Sequence, residues 1–135
     1  PYLLNDYTFL RLLNLFKENT IFECKNNALI ENINKIYVHQ IRVNASNENI
    51  NPVPEGIHRD GFNFICIACI NRFNIDGPFN EILDLNENII NKKIINSNNT
   101  LILNDKKYYH NVTNFKKKNK YLKGYRDIFV LTTFN

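Results

Sequence analysis

His58 and Asp60 stand two positions apart in the segment Pro54-Glu55-Gly56-Ile57-His58-Arg59-Asp60-Gly61, between a proline turn and a run of strand-forming residues. His110 lies 52 positions after His58, and Arg126 follows it by 16. An imidazole and a carboxylate at this spacing, joined by a second imidazole, form a two-His, one-carboxylate set. Such a set with open coordination positions suits a non-haem Fe(II) oxygenase. His-x-Asp alone is weak, since a chain with this many His and Asp would contain one by chance about one time in eight. Order and context strengthen it. His58 and Asp60 precede an apolar strand, His110 sits in a later strand, and Arg126 begins the last one, the order in which a jelly roll brings early and late strands to one mouth.

Each residue also has a plain structural reading. His58 could be an exposed loop histidine and His110 a half-buried strand residue beside Tyr108 and Tyr109. Asp60 could cap a turn. Arg126 could pair with Asp127 at the surface, although adjacent strand residues face opposite ways. His39 falls outside the ligand pattern and is expected to be structural.

The elements that must hold these residues are mostly strands. Phe9, Leu10, Leu12, Leu13 and Phe16 form an apolar face at helical spacing, which predicts one helix over about 7–18 packed on the outside of a sheet. Residues 36–43 read as a strand with Gln40 and Arg42 on the same face as Ile36 and Val38. A polar loop over 44–56 and the apolar run 62–70 follow. Shorter β candidates lie at 79–85, 88–95 and 100–104, with longer ones at 107–115 and 125–134. Several short strands separated by turn signals imply a sandwich or barrel. No internal repeat or domain boundary is visible, so 1–135 is expected to be one domain with its β core over about 36–134.

Bulk properties narrow the class. The 135 residues, 44% hydrophobic and 13% aromatic, suit a folded globule with a modest core. Asparagine accounts for 26 of them, so the three Asn-x-Ser/Thr matches carry little weight. The net charge of +4 comes largely from Lys116, Lys117, Lys118, Lys120 and Lys123, which cluster in one segment between strand-like runs. That reads as a solvated hairpin loop in preference to a nucleic-acid surface, which would mix basic residues with stacking aromatics over a face. Cys24, Cys66 and Cys69 form no disulfide framework, pointing to reduced thiols and a cytoplasmic setting. Cys66 and Cys69 match C-x-x-C, but three positions apart on a strand they face opposite sides and cannot share a metal. No signal peptide or membrane-spanning run is evident. The chain starts at Pro1 instead of Met, as a trimmed or partial chain would.

Taken in order, His39-Gln40-Ile41-Arg42, Pro54-Glu55-Gly56-Ile57-His58-Arg59-Asp60-Gly61, Asn71-Arg72-Phe73-Asn74-Ile75, Tyr109-His110-Asn111-Val112-Thr113 and Gly124-Tyr125-Arg126-Asp127-Ile128-Phe129-Val130-Leu131 resemble one family. This is the 2-oxoglutarate/Fe(II)-dependent dioxygenase family that includes bacterial L-isoleucine dioxygenases. The resemblance covers about 36–134. It implies a mainly β, double-stranded β-helix (a cupin-like jelly roll) with the N-terminal helix outside. It further implies Fe(II) held by His58, Asp60 and His110, 2-oxoglutarate anchored through its distal carboxylate by Arg126, and O2 as the oxidant. A guanidinium suits that anchoring role because it can bind carboxylate in two places.

The expected reaction is hydroxylation of a small molecule, with a free aliphatic L-amino acid favoured, releasing succinate and CO2. The alternatives are the same chemistry on a protein or nucleic acid, and a jelly-roll binding protein without activity. A homodimer is a possible assembly. Gln40 and Arg42, if directed into the barrel, would need an anion such as a substrate carboxylate. Glu55 is a candidate partner for a substrate ammonium, or a residue orienting His58. Arg59, between two ligands, is expected to point away from the metal. The chain departs from the family where Asp76-Gly77-Pro78 replaces a Gly-Gly-Glu-type turn, and where N-terminal helical structure is short.

Overall fold

A computed structural model describes residues 3–26 and 35–134. After a 3₁₀ turn at Leu3–Asn5, helix α1 spans Tyr7–Asn26. The Asp6 carboxylate accepts the Phe9 N–H at 2.8 Å, capping the helix start. The helix continues well past the expected end near residue 18. Thr20, which breaks the apolar pattern, donates its hydroxyl to the carbonyl oxygens of Phe16 (3.0 Å) and Lys17 (2.9 Å). It is therefore buried without an unmet hydrogen bond, and Cys24 extends the packed stripe by another turn.

Nine strands follow among the described residues. Four form the larger sheet: β1 (Lys35–Asn44), β2 (Phe64–Phe73), β6 (Thr100–Asn104) and β9 (Tyr125–Phe134). They are antiparallel in the order β1-β9-β2-β6. A smaller sheet has the order β5-β4-β7, from β4 (Asn80–Leu83), β5 (Ile89–Lys93) and β7 (Tyr109–Val112). A ribbon joins β3 (Ile75–Asp76) to β8 (Lys116–Lys117). First and last strands are neighbours, and the two sheets draw on interleaved parts of the chain. This is a jelly roll, with helix α1 outside as expected.

Period-2 alternation assigns each face of the larger sheet. Phe129 and Leu131 of β9 and Phe64, Cys66 and Ala68 of β2 pack on Phe9, Phe16 and Cys24 of α1. The Phe9 and Phe129 rings lie 5.3 Å apart. Burial of each such large side chain contributes about 1.5–3 kcal/mol, so this layer fixes the sheet. The intervening residues Ile65, Ile67, Cys69, Ile128 and Val130 face the other way, toward the smaller sheet. Cys66 and Cys69 thus lie on opposite faces, and no disulfide involves either of them or Cys24. No described helix is long and apolar enough to cross a membrane.

The lysine-rich segment is a turn. Lys116 and Lys117 form β8, and the Asn74 amide donates to the carbonyls of Asn119, Leu122 and Lys123 at 2.9–3.3 Å. At the family departure, Gly77 has φ +75°. A Cβ there would meet Asn114 O and Phe115 Cβ at 3.2 Å, and with this left-handed backbone any other residue would be strained. The Phe79 N–H then donates to Thr113 Oγ1 at 2.9 Å, delivering Asn80 to the start of β4.

Candidate active site

The loop before β2 reaches His58 through a turn closed by Gly56 N–H donating to Val53 O (3.1 Å), with Gly56 in the left-handed region at φ +71°. His58 then pairs with His110 of β7 in an isolated antiparallel bridge. The His58 N–H donates to His110 O at 3.0 Å, and the His110 N–H to His58 O at 2.9 Å. Directly opposed residues share a face, so the two imidazoles lie side by side, ring centroids 4.3 Å apart. Asp60, two positions on, turns to the same side. Its Oδ1 is 3.2 Å from His58 Nε2 and its Oδ2 is 3.7 Å from His110 Nε2.

One donor atom from each of the three residues lies within 4.8 Å of the others, a group that could hold a metal ion. The bland readings of His58 and His110 do not account for this convergence. The His58 Nδ1 is 2.8 Å from Gly56 O. Placing the proton there leaves the Nε2 lone pair toward Asp60 and His110, as metal ligation requires. His110 is buried, and burial pushes its pKa below the ordinary imidazole value. Neighbouring His58 acts in the same direction, while Asp60 and Asp105 oppose it. His110 is therefore kept as the neutral ring that can bind a cation.

Arg126 lies on the inner face of β9 and is only 3% exposed. One Nη2 donates to Asn80 Oδ1 at 3.3 Å, while Nε is buried without a hydrogen-bond partner. Burial depresses its pKa, with Arg72 acting the same way against Cys69. A guanidinium still stays charged in a protein. Among the described residues no carboxylate is recorded in an ion pair with it. The expected surface alternative, a pair with Asp127, does not form. Asp127 instead takes both oxygens to Arg42, at 2.6 Å each.

His58, Asp60, His110 and Arg126 line one cavity of about 320 Å³, walled by aliphatic residues including Ile41, Val43, Ile67, Ile128 and Val130. The residues fit the group that the ligand set calls for. Two imidazole nitrogens and a carboxylate suit Fe(II). A buried guanidinium with an unmet N–H, at the same cavity, suits the far carboxylate of a 2-oxo diacid.

A sequence profile described as 2OG-Fe dioxygenase matches residues 2–132. The chain belongs to that family. The fold likeness extends to solved structures. One is a bsmA homolog from Methylobium petroleophilum PM1, 24% identical with TM-score 0.64, the match covering 74% of this chain and 41% of that one. A second is IDO from Bacillus thuringiensis, 22% identical with TM-score 0.67, covering 87% and 59%. A third is the Fe(II)/α-ketoglutarate-dependent dioxygenase TqaL, 15% identical with TM-score 0.67, covering 94% and 55%. The chain thus spans 41% to 59% of the length of these structures, and at these identities the likeness is one of fold. No curated protein matches in sequence. The 2OG-Fe dioxygenase family implies Fe(II), 2-oxoglutarate and O2.

Three expected substrate contacts are not among the residues that line this cavity. The inner face of β1 carries His39, Ile41 and Val43. Gln40 is on the opposite side, in the groove beside α1. Arg42 is exposed, paired with Asp127 and stacked on Tyr125 at 4.4 Å. β1 is an edge strand with both faces amphipathic, so alternation alone could not say which faced inward. Glu55 is exposed in its turn and outside the cavity lining. Its suggested role of orienting His58 is filled by the Gly56 carbonyl. His39, expected to be only structural, lines the cavity wall. Arg59 points away, as expected, donating to Lys106 O at 3.1 Å and lying over the Tyr109 ring.

Two residues at the site escaped the sequence reading. Asn80 holds Arg126, and its signal was weak because asparagine is so frequent in this chain. Asp105 is buried beneath the His58–Asp60 loop. A carboxylate five positions before His110, in a polar turn, was the only hint of it.

Proposed function

We propose that this chain supplies the catalytic core of an Fe(II)- and 2-oxoglutarate-dependent dioxygenase that hydroxylates a small molecule, releasing succinate and CO2. A free aliphatic L-amino acid is the favoured substrate. The observation that carries this reading is the convergence of the His58, Asp60 and His110 donor atoms within 4.8 Å, in a cavity that also contains buried Arg126. When bound, iron and 2-oxoglutarate together supply the oxidising power for cleaving a C–H bond.

The protein's share is placement. His58 Nε2, His110 Nε2 and the Asp60 carboxylate hold the metal, with the Gly56 carbonyl fixing the His58 ring. Arg126, steadied by Asn80, receives the cosubstrate's distal carboxylate and gains in that anion the acidic partner it lacks among the described residues. Ile41, Val43, Ile128 and Val130 exclude water and offer an aliphatic wall to the substrate. The three cysteines without disulfides favour a reducing, cytoplasmic setting.

The test is succinate release by the full-length protein given Fe(II), 2-oxoglutarate and a panel of free L-amino acids. Turnover with aliphatic members is expected. Absence of turnover with every member would sink the amino-acid assignment. His58→Ala and Asp60→Ala should reduce 2-oxoglutarate decay to background, and undiminished decay in either would remove these residues from the metal site.

A further inference from the structure

We propose that Asp105 is a positioning residue for the metal centre, joining the two ligand-bearing segments through one buried carboxylate. This rests on the reading of His58, Asp60 and His110 as the metal ligands. Asp105 lies in the turn between β6 and β7 and is 1% exposed. Its Oδ1 accepts the Asp60 N–H at 3.3 Å and its Oδ2 accepts the Phe62 N–H at 2.9 Å. Its own N–H donates to Asn63 O at 3.0 Å. The same Oδ1 lies 3.8 Å from His110 Nδ1, the nitrogen on the far side of the ring from Asp60. That Nδ1 is buried and has no hydrogen-bond partner.

The surrounding turn is built to be stiff. The Asn104 side-chain oxygen accepts the N–H groups of Lys106 and Lys107 at 3.0 and 3.2 Å. Arg59, between the two loop ligands, clasps the same turn from outside through Lys106 O and the Tyr109 ring. The His58–Asp60 loop has little regular structure of its own, so its position depends on this clasp.

The choice of a carboxylate is the telling feature. A neutral amide oxygen or hydroxyl could accept a backbone N–H there without the penalty of desolvating a charge. A full negative charge gains an advantage only opposite a positive or strongly polarised donor. The His110 Nδ1 edge is such a donor once Nε2 gives its lone pair to a dication. A carboxylate behind a ligating imidazole orients the ring and raises its basicity, and removing it typically lowers metal affinity about 10–100-fold. Asp105 also accepts a hydrogen bond from the backbone of a second ligand, Asp60.

Asp84 provides an internal control. Its carboxylate likewise accepts two backbone N–H groups, from Asn86 and Asn88 at 2.9 Å, in the exposed β4–β5 turn away from the cavity. Titration of the metal-free full-length protein with Co(II), followed by d–d absorption, is compared with thermal unfolding of the same metal-free samples. Asp105→Asn is expected to bind Co(II) about 10–100-fold more weakly than wild type. Asp84→Asn should change the melting temperature alone. Asp105→Glu, which keeps the charge but displaces it, should weaken Co(II) binding at least about tenfold, and it carries the test if Asp105→Asn does not fold. Wild-type affinity in the folded Asp105 variant, or equal affinity losses in the Asp105 and Asp84 variants, overturns the positioning role alone. A wild-type protein that binds no Co(II), or binds it equally well with His58→Ala, overturns the metal-site reading and this proposal with it.

Discussion

The two faces of the larger sheet are made by alternate residues of the same strands, yet they are finished to different standards. Toward α1, Phe64, Cys66, Ala68, Phe129 and Leu131 meet Phe9 and Phe16 in an apolar seam. Toward the smaller sheet, aliphatic residues are interrupted by Arg126 and Thr132, whose Nε and Oγ1 are buried without partners. Opposite them, Asn80 Nδ2 and His110 Nδ1 are also partnerless. On the helix face Thr133 Oγ1 is the counterpart among the described residues. Buried polar groups are normally satisfied, so the convergence of His110, Arg126 and Thr132 at one cavity marks the face where stability yields to ligand binding.

The helix face should give the largest stability effect when cut. Phe16 is fully buried in the seam, and Phe16→Ala is expected to cost about 3–5 kcal/mol in denaturant unfolding. Because the loss lies on the far side of the sheet, Co(II) affinity measured where the variant is still folded should remain that of wild type. A parallel fall in metal affinity would mean that the two faces are not independent.

On the cavity face the sign of the stability change should reverse. Arg126→Met removes a buried cation that has no acid partner among the described residues, and unfolding of the metal-free, cosubstrate-free protein should be unchanged or harder by about 1 kcal/mol. Binding of 2-oxoglutarate to the Co(II)-loaded protein should weaken by about 2–5 kcal/mol, the usual loss when one member of a buried charge pair is removed. A variant that is destabilised and still binds 2-oxoglutarate normally would return Arg126 to a structural role.

This division was only partly legible in the sequence. The strands at 36–43, 100–104 and 125–134 could be placed because alternation and turn residues agreed, and the observed Lys35–Asn44, Thr100–Asn104 and Tyr125–Phe134 follow closely. The residues now found around the cavity, His58, Asp60, His110 and Arg126, stood out because their side chains are chemically costly in such contexts. What could not be read was orientation and long-range registry. β1 alternates Ile36, Val38, Gln40 and Arg42 with Tyr37, His39, Ile41 and Val43, two faces of similar polarity. Only pairing with β9, Ile41 opposite Ile128 and Val43 opposite Arg126, decides which is inward. Asp105 was hidden for the same reason. Its hydrogen-bond partners Asp60, Phe62 and Asn63 are more than 40 positions away, and nothing local marks an aspartate in a turn as buried.

Arg42 gives the smallest and most discriminating effect. It resembles Arg126 in sequence setting, a strand arginine with apolar neighbours, but its side chain is 59% exposed and forms a two-point pair with Asp127. Hydrogen bonding to Asp127 raises its pKa above the ordinary guanidinium value, so the guanidinium is charged at neutral pH. Water and salt screen such a pair, and its replacement usually changes stability little. Arg42→Ala should therefore leave both the unfolding midpoint and 2-oxoglutarate affinity within experimental scatter of wild type, beside the large loss of affinity in Arg126→Met. A tenfold loss of cosubstrate or substrate affinity in Arg42→Ala would bring the outer face of β1 into the site. The inward face would then have been assigned to the wrong set of alternate residues.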